Sequence, residues 1–370
     1  VIALETAPPP AGELALLPTR RVVWGSGSLA RLPGLLDELG ASRTLVLTSR
    51  SLAKDVNLVA QVVRHCGPRY AGRFEHLPAH VPLDAVDAAT AAARAQRAAA
   101  LVAFGGGSVI DAAKAVAARL ADEDGRPALI VAVPTTLSGA EFADHYGVTE
   151  QHDGTAVKRT HTREDVTPAA VILDARMTAA TPRWLWAGSA IKALDHAVEG
   201  LLCSPPRPVL DELAETGIGR LASALAHSLD PTAQDARQAC QLAAWYCYFA
   251  PASLTLGLSH RIGHVLGGTY GVPHAFTSGL TLPAVVRAMD GHATAERHAV
   301  IARALNSSAP GDRLAHLVEA VGLPTKLREV GIRRADVPEI AGQVADRFPA
   351  AVEQLTGCDV SLRSLLDSIW

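Results

Sequence analysis

The first half of the chain alternates short, uninterrupted apolar runs with longer segments whose apolar residues recur every third or fourth position. "RVVWG", "RTLVLTS", "AALVAFGGG" and "ALIVAVPTT" are each bounded by glycine, proline or small polar residues and predict strands. Continuous apolar strands need cover on both faces, and with helices between them they predict a parallel sheet. "SLARLPGLLDELG" predicts a helix closed by Gly40, and "PLDAVDAATAAARAQRAA" one with acidic residues in its first turns, where the helix dipole favours them. After about Pro182 strand-like runs nearly vanish, and "DELAETGIGRLASALAHSL" and "DARQACQLAAWYCYFA" carry helical spacing. The predicted fold class is therefore α/β plus all-α. A doubly wound parallel-sheet domain is expected over residues 1–181, its first 15 residues a flexible proline-bearing extension, and a helical domain over residues 182–370. Sheets of this kind bind ligands beyond the carboxyl ends of their strands, so the crevice between the halves is the expected site.

Composition narrows the partners. The chain has 370 residues, 49% hydrophobic and 19% charged, with a formal net charge of −3, which disfavours disorder and a nucleic-acid surface and leaves a small molecule as the expected partner. The five cysteines, Cys66, Cys203, Cys240, Cys247 and Cys358, form no C-x-x-C pair and are odd in number. That argues against a disulfide framework or a structural zinc, and a reducing cytoplasm fits best. No stretch reaches the roughly 20 apolar residues of a membrane span, and the N-terminal segment lacks a basic region and a long apolar core.

Candidate chemistry lies where the strands end. "LVAFGGGSVIDAAKAVA" runs through Gly105, Gly106, Gly107 and Ser108 straight into a helix. Glycines there permit close approach and positive φ, and the helix N-terminus presents unpaired N–H groups, so a pyrophosphate is one guest and an ordinary tight turn the alternative. "VPTTLSGAE" repeats the arrangement with Thr135, Thr136 and Ser138, hydroxyls suited either to a phosphate or ribose or to local capping. In "LSHRIGHVLGGTYGVPHAF", His260 and His264 share one helix face at i and i+4, and His274 follows a glycine-rich bend. With His196 from "GSAIKALDHAVEG" this makes four imidazoles able to converge, as metal ligands or as ordinary core and surface histidines.

Together these stretches are recognisable: GGGS followed by D-x-x-K, PTT with Gly-x-Glu behind it, an ALxHAxE helix, and H-x3-H-x9-H. The chain resembles the iron-containing alcohol dehydrogenase superfamily from about Arg21 onward, and within it the maleylacetate reductases. The resemblance implies the dehydroquinate synthase-like fold and a nicotinamide cofactor in the crevice. Gly105, Gly106, Gly107 and Ser108 match the pyrophosphate loop, Asp111 and Lys114 its following helix, and Thr135, Thr136 and Ser138 the second cofactor loop. His196, His260 and His274 match the histidine ligands of metal-dependent members, and His264 a non-ligand histidine beside the nicotinamide. A homodimer is the expected assembly.

One position breaks the pattern. The metal-dependent members carry an aspartate one turn before the first histidine, and here that residue is Lys192. An ammonium has three donors and no lone pair, so it cannot coordinate a cation and repels one. No metal is therefore expected. Lys192 is expected to take the metal's place, donating to a substrate carbonyl and to neutral histidines and stabilising the oxyanion formed by hydride delivery, with His264 or His196 relaying the proton. The alternatives are a Schiff-base amine in a lyase or isomerase that retains its dinucleotide, a catalytically silent nucleotide-binding homologue, and a lysine that reaches solvent with no task. After the second strand Ser49 and Arg50 stand where an aspartate would bond a ribose, which favours NADPH over NADH. Lys158, Arg159, Arg163 and Arg261 are candidates for binding substrate carboxylates, or are solvated surface charges.

Overall fold

The computed structural model describes residues 13–125, 128–152, 155–290 and 295–370. Most of the expected N-terminal extension lies outside the described residues. Eight strands follow: β1 (Arg21–Trp24), β2 (Thr44–Ser49), β3 (Tyr70–Leu77), β4 (Ala100–Gly105), β5 (Leu129–Pro134), β6 (His145–His152), β7 (Thr155–Thr162) and β8 (Ala170–Leu173). Six form one sheet in the order β1-β8-β5-β4-β2-β3, every pair parallel. The other two, β6 and β7, pair antiparallel as a separate ribbon.

The sheet is apolar on both faces because both are covered. Leu45, Leu47, Leu101 and Ala103 point to one side, against α3 (Leu83–Ala95) and α4 (Gly107–Asp124). Val46, Val102, Phe104 and Val133 point to the other, against α1 (Leu32–Glu38) and α2 (Val56–Cys66). This period-two division is what continuous apolar strands require. The register matters for function: Gly105 at the end of β4 lies opposite Pro134 at the end of β5, so the two loops that follow emerge side by side.

From Arg183 onward the described residues are helical. Helix α5 (Arg183–Cys203) is buried without interruption from Trp186 to Leu202, the state of a helix enclosed on all sides. Around it pack α6 (Pro208–Ser228), α7 (Gln234–Cys247), α8 (Leu258–Tyr270) and α9 (His274–Ala288), and further helices continue to Ser368. A Cβ on Gly188 would come within 2.3 Å of the Ala275 carbonyl oxygen, so this glycine lets α9 cross α5 closely, one turn before Lys192. The domains are pinned at the ends of the strands. The Leu137 amide donates to Ser189 Oγ on α5 at 3.1 Å, and the chain just before α5 is held to the sheet domain by Thr181 Oγ1, which donates to the Thr135 carbonyl at 2.8 Å. No described helix is long and apolar enough to cross a membrane.

Candidate active site

The site is built on α5. Lys192, Asp195, His196 and Glu199 lie at i, i+3, i+4 and i+7, one face of the helix, and all four are buried. Glu199 reaches the start of α8, which opens on Gly257 and has no capping side chain of its own. The Glu199 carboxylate accepts from the Gly257 amide at 2.8 Å, Ser259 at 2.6 Å and His260 at 3.3 Å, satisfying the free donors of that helix terminus. The Cβ of any other residue at 257 would press on Cys203 Sγ at 2.4 Å and on Glu199 Oε1 at 3.0 Å.

His260 is held from behind. Its Nδ1 lies 2.5 Å from Glu199 Oε2 and 3.2 Å from Asp195 Oδ2, while Ser278 Oγ on α9 donates to the same Asp195 oxygen at 2.5 Å. With Nδ1 engaged by carboxylates, the lone pair is on Nε2, which is buried and has no partner among the described residues. Burial pulls the His260 imidazole down to about 3, and burial pushes Glu199 up to about 7 against its backbone donors and Lys192. The short contact therefore shares one proton between two groups whose charged forms are both penalised. His196 stacks between Tyr248, ring centroids 4.0 Å apart, and His260, 5.0 Å apart.

Lys192 is 6% exposed, and its Nζ has no hydrogen-bond partner among the described residues. Its nearest charge is Asp195 Oδ2 at 3.7 Å, an ion pair too long to be a hydrogen bond. The expectation that neighbouring histidines accept from the ammonium is corrected: Asp195, three residues along the same helix, holds it instead. Burial lowers the Lys192 pKa, and Asp195 and Glu199 oppose that shift. His264 and His274 stand on the open side of the junction, exposed. Loss of hydration in that concave wall, reinforced by the Lys192 charge, lowers both imidazoles.

The glycine loop is tight for a different reason than expected. None of Gly105, Gly106 and Gly107 has a positive φ. A Cβ on Gly105 would strike Val109 Cγ2 at 2.5 Å, one on Gly106 Thr136 Cγ2 at 2.9 Å, and one on Gly107 Ser138 Oγ at 2.9 Å. Gly105 lets the following helix fold back over the end of β4, and Gly106 and Gly107 let the two loops pack together, which brings Thr136 and Ser138 to the uncapped N-terminus of α4. The Thr135 amide donates to the Gly105 carbonyl at 3.0 Å. Asp111 and Lys114 face away from that terminus. Asp111 accepts from the Gly147 amide at 3.2 Å, and Lys114, fully buried, donates to the carbonyls of Ala140 at 2.6 Å and His145 at 2.9 Å. Ser49 Oγ accepts from the Leu52 amide at 3.2 Å, and the Arg50 side chain is exposed with no partner among the described residues.

The four basic candidates divide into pairs. Arg159 is bound to Glu150 at 2.9 Å, and Arg163 to Asp122 and Asp165, both at 2.7 Å, so their charges are spent in the N-terminal domain. Lys158 and Arg261 have no ion pair among the described residues. The Lys158 charge bears on Lys192, His264 and His274, and Arg261, over the Phe348 ring at 5.2 Å, bears on His260 and His264. Sequence reasoning missed Asp195, Glu199, Tyr248 and Ser278. The first two had a signal, their spacing on the helix of Lys192. Tyr248 and Ser278 had none.

A parallel α/β domain with two glycine- and hydroxyl-bearing loops, facing a helical domain with a buried lysine, carboxylates and histidines, defines a dinucleotide-dependent oxidoreductase. The sequence matches the iron-containing alcohol dehydrogenase model over residues 18–175 and the C-terminal model of the Fe-containing alcohol dehydrogenase family over residues 186–356. The chain belongs to the iron-containing alcohol dehydrogenase family and is an NAD(P)H-dependent reductase of that family. It is 36% identical over 335 residues to maleylacetate reductase 1 of Cupriavidus pinatubonensis, covering 89% of this chain and 90% of that protein. It is likewise 36% identical over 333 residues to a maleylacetate reductase of Pseudomonas aeruginosa, with the same coverage. The crystal structure of maleylacetate reductase from Agrobacterium tumefaciens superimposes with a TM-score of 0.85 at 28% identity over 98% of both chains.

The family's name implies a metal. Among the described residues, Asp195, Glu199 and His260 bring possible ligand atoms within 4.8 Å of one another. The lone pairs of Glu199 are taken by three backbone amides, and Asp195 faces both Ser278 and the Lys192 ammonium. These residues do not fit a divalent cation, which would be set against a buried positive charge.

Proposed function

We propose that this chain is a metal-independent reductase that delivers hydride from NADPH or NADH to a carbonyl or activated enone bearing a carboxylate. One observation carries the reading: a buried ammonium with no hydrogen-bond partner among the described residues, Lys192 Nζ, stands one turn before His196, where metal-dependent relatives of this family would hold their cation. Unpaired donors of that kind are costly to bury and stabilise negative charge that develops beside them. When bound, the nicotinamide supplies the hydride. Lys192 donates to the substrate oxygen as it becomes an oxyanion, and Asp195 fixes the ammonium from behind. His264 or His196, each a neutral imidazole with one N–H, relays a proton to that oxygen, whereas His260 Nε2, kept an acceptor by Glu199 and Asp195, can only receive one.

The dinucleotide fits the N-terminal domain, since the α4 terminus has no side-chain cap and lies beside Thr136 and Ser138. The unpaired Arg50 and the lack of a carboxylate at the end of β2 favour a 2′-phosphate, hence NADPH. Lys158 and Arg261, the two basic candidates left without ion pairs, suit a substrate carboxylate, and the naming of the relatives makes maleylacetate the first compound to assay. Five free thiols agree with a reducing cytoplasm. In the test, purified enzyme oxidises NADPH with maleylacetate or a panel of oxo acids, contains well under one metal ion per chain, and keeps its rate in chelator. Stoichiometric iron or zinc, lost together with turnover on chelation, refutes the metal-independent mechanism.

A further inference from the structure

Lys114 has no place in the chemistry described above, and its surroundings are unusual for a lysine. It is fully buried in the middle of α4, and burial draws its pKa down to about 8 against the charges of Asp111, Glu141 and Asp144. A buried ammonium persists only where its donors are taken and its charge is balanced. Two of its donors go to backbone carbonyls, Ala140 and His145, at the entry to β6. One turn earlier on the same helix face, Asp111 receives the amide of Gly147, two residues further along β6. Helix α4 thus grips the first strand of the β6–β7 ribbon at two points, His145 and Gly147, and the segment leading into it at Ala140, and it does so from the helix whose N-terminus forms the glycine loop.

The ribbon reaches the active site through two side chains. Lys158 on β7 crosses Gly147 so closely that a Cβ there would lie 2.3 Å from its Cε, and its charge is felt at Lys192, His264 and His274. His145 lies 3.4 Å from the Tyr248 hydroxyl, and Tyr248 stacks on His196. We infer that Lys114 and Asp111 are positioning residues that couple occupation of the dinucleotide loop to the placement of the β6–β7 ribbon, and so of Lys158, over the substrate. The inference rests on the dinucleotide reading of residues 105–108. It adds that the first turns of α4 pass cofactor binding on to the substrate side.

Hydrogen–deuterium exchange with NADPH as the probe tests this, alongside NADPH affinity from nucleotide fluorescence. In the parent, saturating NADPH should slow exchange in peptides of β6 and β7 by fivefold or more. Lys114→Met should keep the NADPH Kd within about threefold of the parent and lose that protection. Asp111→Ala removes the Gly147 contact and one of the charges that balance Lys114, at a partly exposed position, and should lose at least half of the effect. A destabilised but uncoupled role predicts faster exchange with and without NADPH and an unchanged difference between them, which overturns the inference. So does a parent that binds NADPH without protecting the ribbon, or variants that lose NADPH affinity tenfold and are thereby cofactor residues outright. A parent that binds no dinucleotide removes the cofactor reading and this inference with it.

Discussion

On this face of α5 Lys192 supplies the cation, and Asp195, one turn deeper, the carboxylate that faces it at 3.7 Å. Glu199 lies another turn on and caps α8, so the same face that offers the ammonium also fixes the ring of His260. If the ammonium stabilises an oxyanion, Lys192→Met keeps much of the volume and removes the donor. The kcat should fall by roughly a hundredfold or more, the scale of losing one oxyanion donor, while NADPH affinity stays within about twofold. Normal turnover by a folded Lys192→Met enzyme would make the ammonium a bystander. The spacing of Lys192 and His196 was legible in the sequence because i and i+4 define a helix face without tertiary knowledge. The role of Glu199 was not, since its partners lie 58 to 61 residues away. A signal existed in the partner helix: a segment opening on Gly257, with no Ser, Thr, Asp or Asn to cap it, needs its acceptor from elsewhere.

At the scale of elements, β2, β4 and β5 announce themselves because both of their faces are buried and every position is apolar or small. "YAGRFEHL" hides β3, an edge strand half open to solvent, and β8 is only four residues long. The β6–β7 ribbon is missed for a related reason: outside the sheet and rich in polar residues, it reads as a basic surface segment. Its contribution to the site depends on the grip of α4, which no local pattern encodes. The glycine loop was legible as a point of close backbone approach, and the cause is now specific, two loops in contact rather than left-handed backbone. Gly106→Val places its Cβ 2.9 Å from Thr136 Cγ2 and more bulk beyond, so it should force the loops apart and weaken NADPH binding at least a hundredfold. Nucleotide fluorescence reads the loss, and an unchanged far-UV circular dichroism spectrum separates it from unfolding. Parental affinity in the folded variant would reduce the loop to a turn.

At the scale of the whole molecule, the proposed mechanism needs two domains to meet at a fixed distance, because the glycine and hydroxyl loops belong to one and Lys192 to the other. Arg237 on α7 is a strong determinant of that meeting. Its guanidinium is 1% exposed, donates to the carbonyls of Ser228 at 3.1 Å and Asp230 at 3.3 Å, and reaches across to Thr178 of the N-terminal domain, carbonyl at 2.7 Å and Oγ1 at 2.9 Å. It also lies over the Trp186 ring on α5 at 4.4 Å, so one planar cation joins three helices and the end of the sheet domain. Among the described residues no carboxylate forms an ion pair with it, and burial lowers its pKa. Arg237→Met fills the space and leaves those acceptors without donors, which should cost roughly 2–4 kcal/mol of unfolding free energy in a denaturant titration. Arg237→Lys keeps a charge but cannot reproduce the planar fork, and should recover less than half of the loss. Neither variant touches the nicotinamide or the substrate, so kcat at low temperature should stay within a fewfold of the parent while the unfolding midpoint drops. Stability within about 0.5 kcal/mol of the parent in Arg237→Met, the scale of an ordinary surface substitution, would mean that the domain junction is held by its apolar contacts alone.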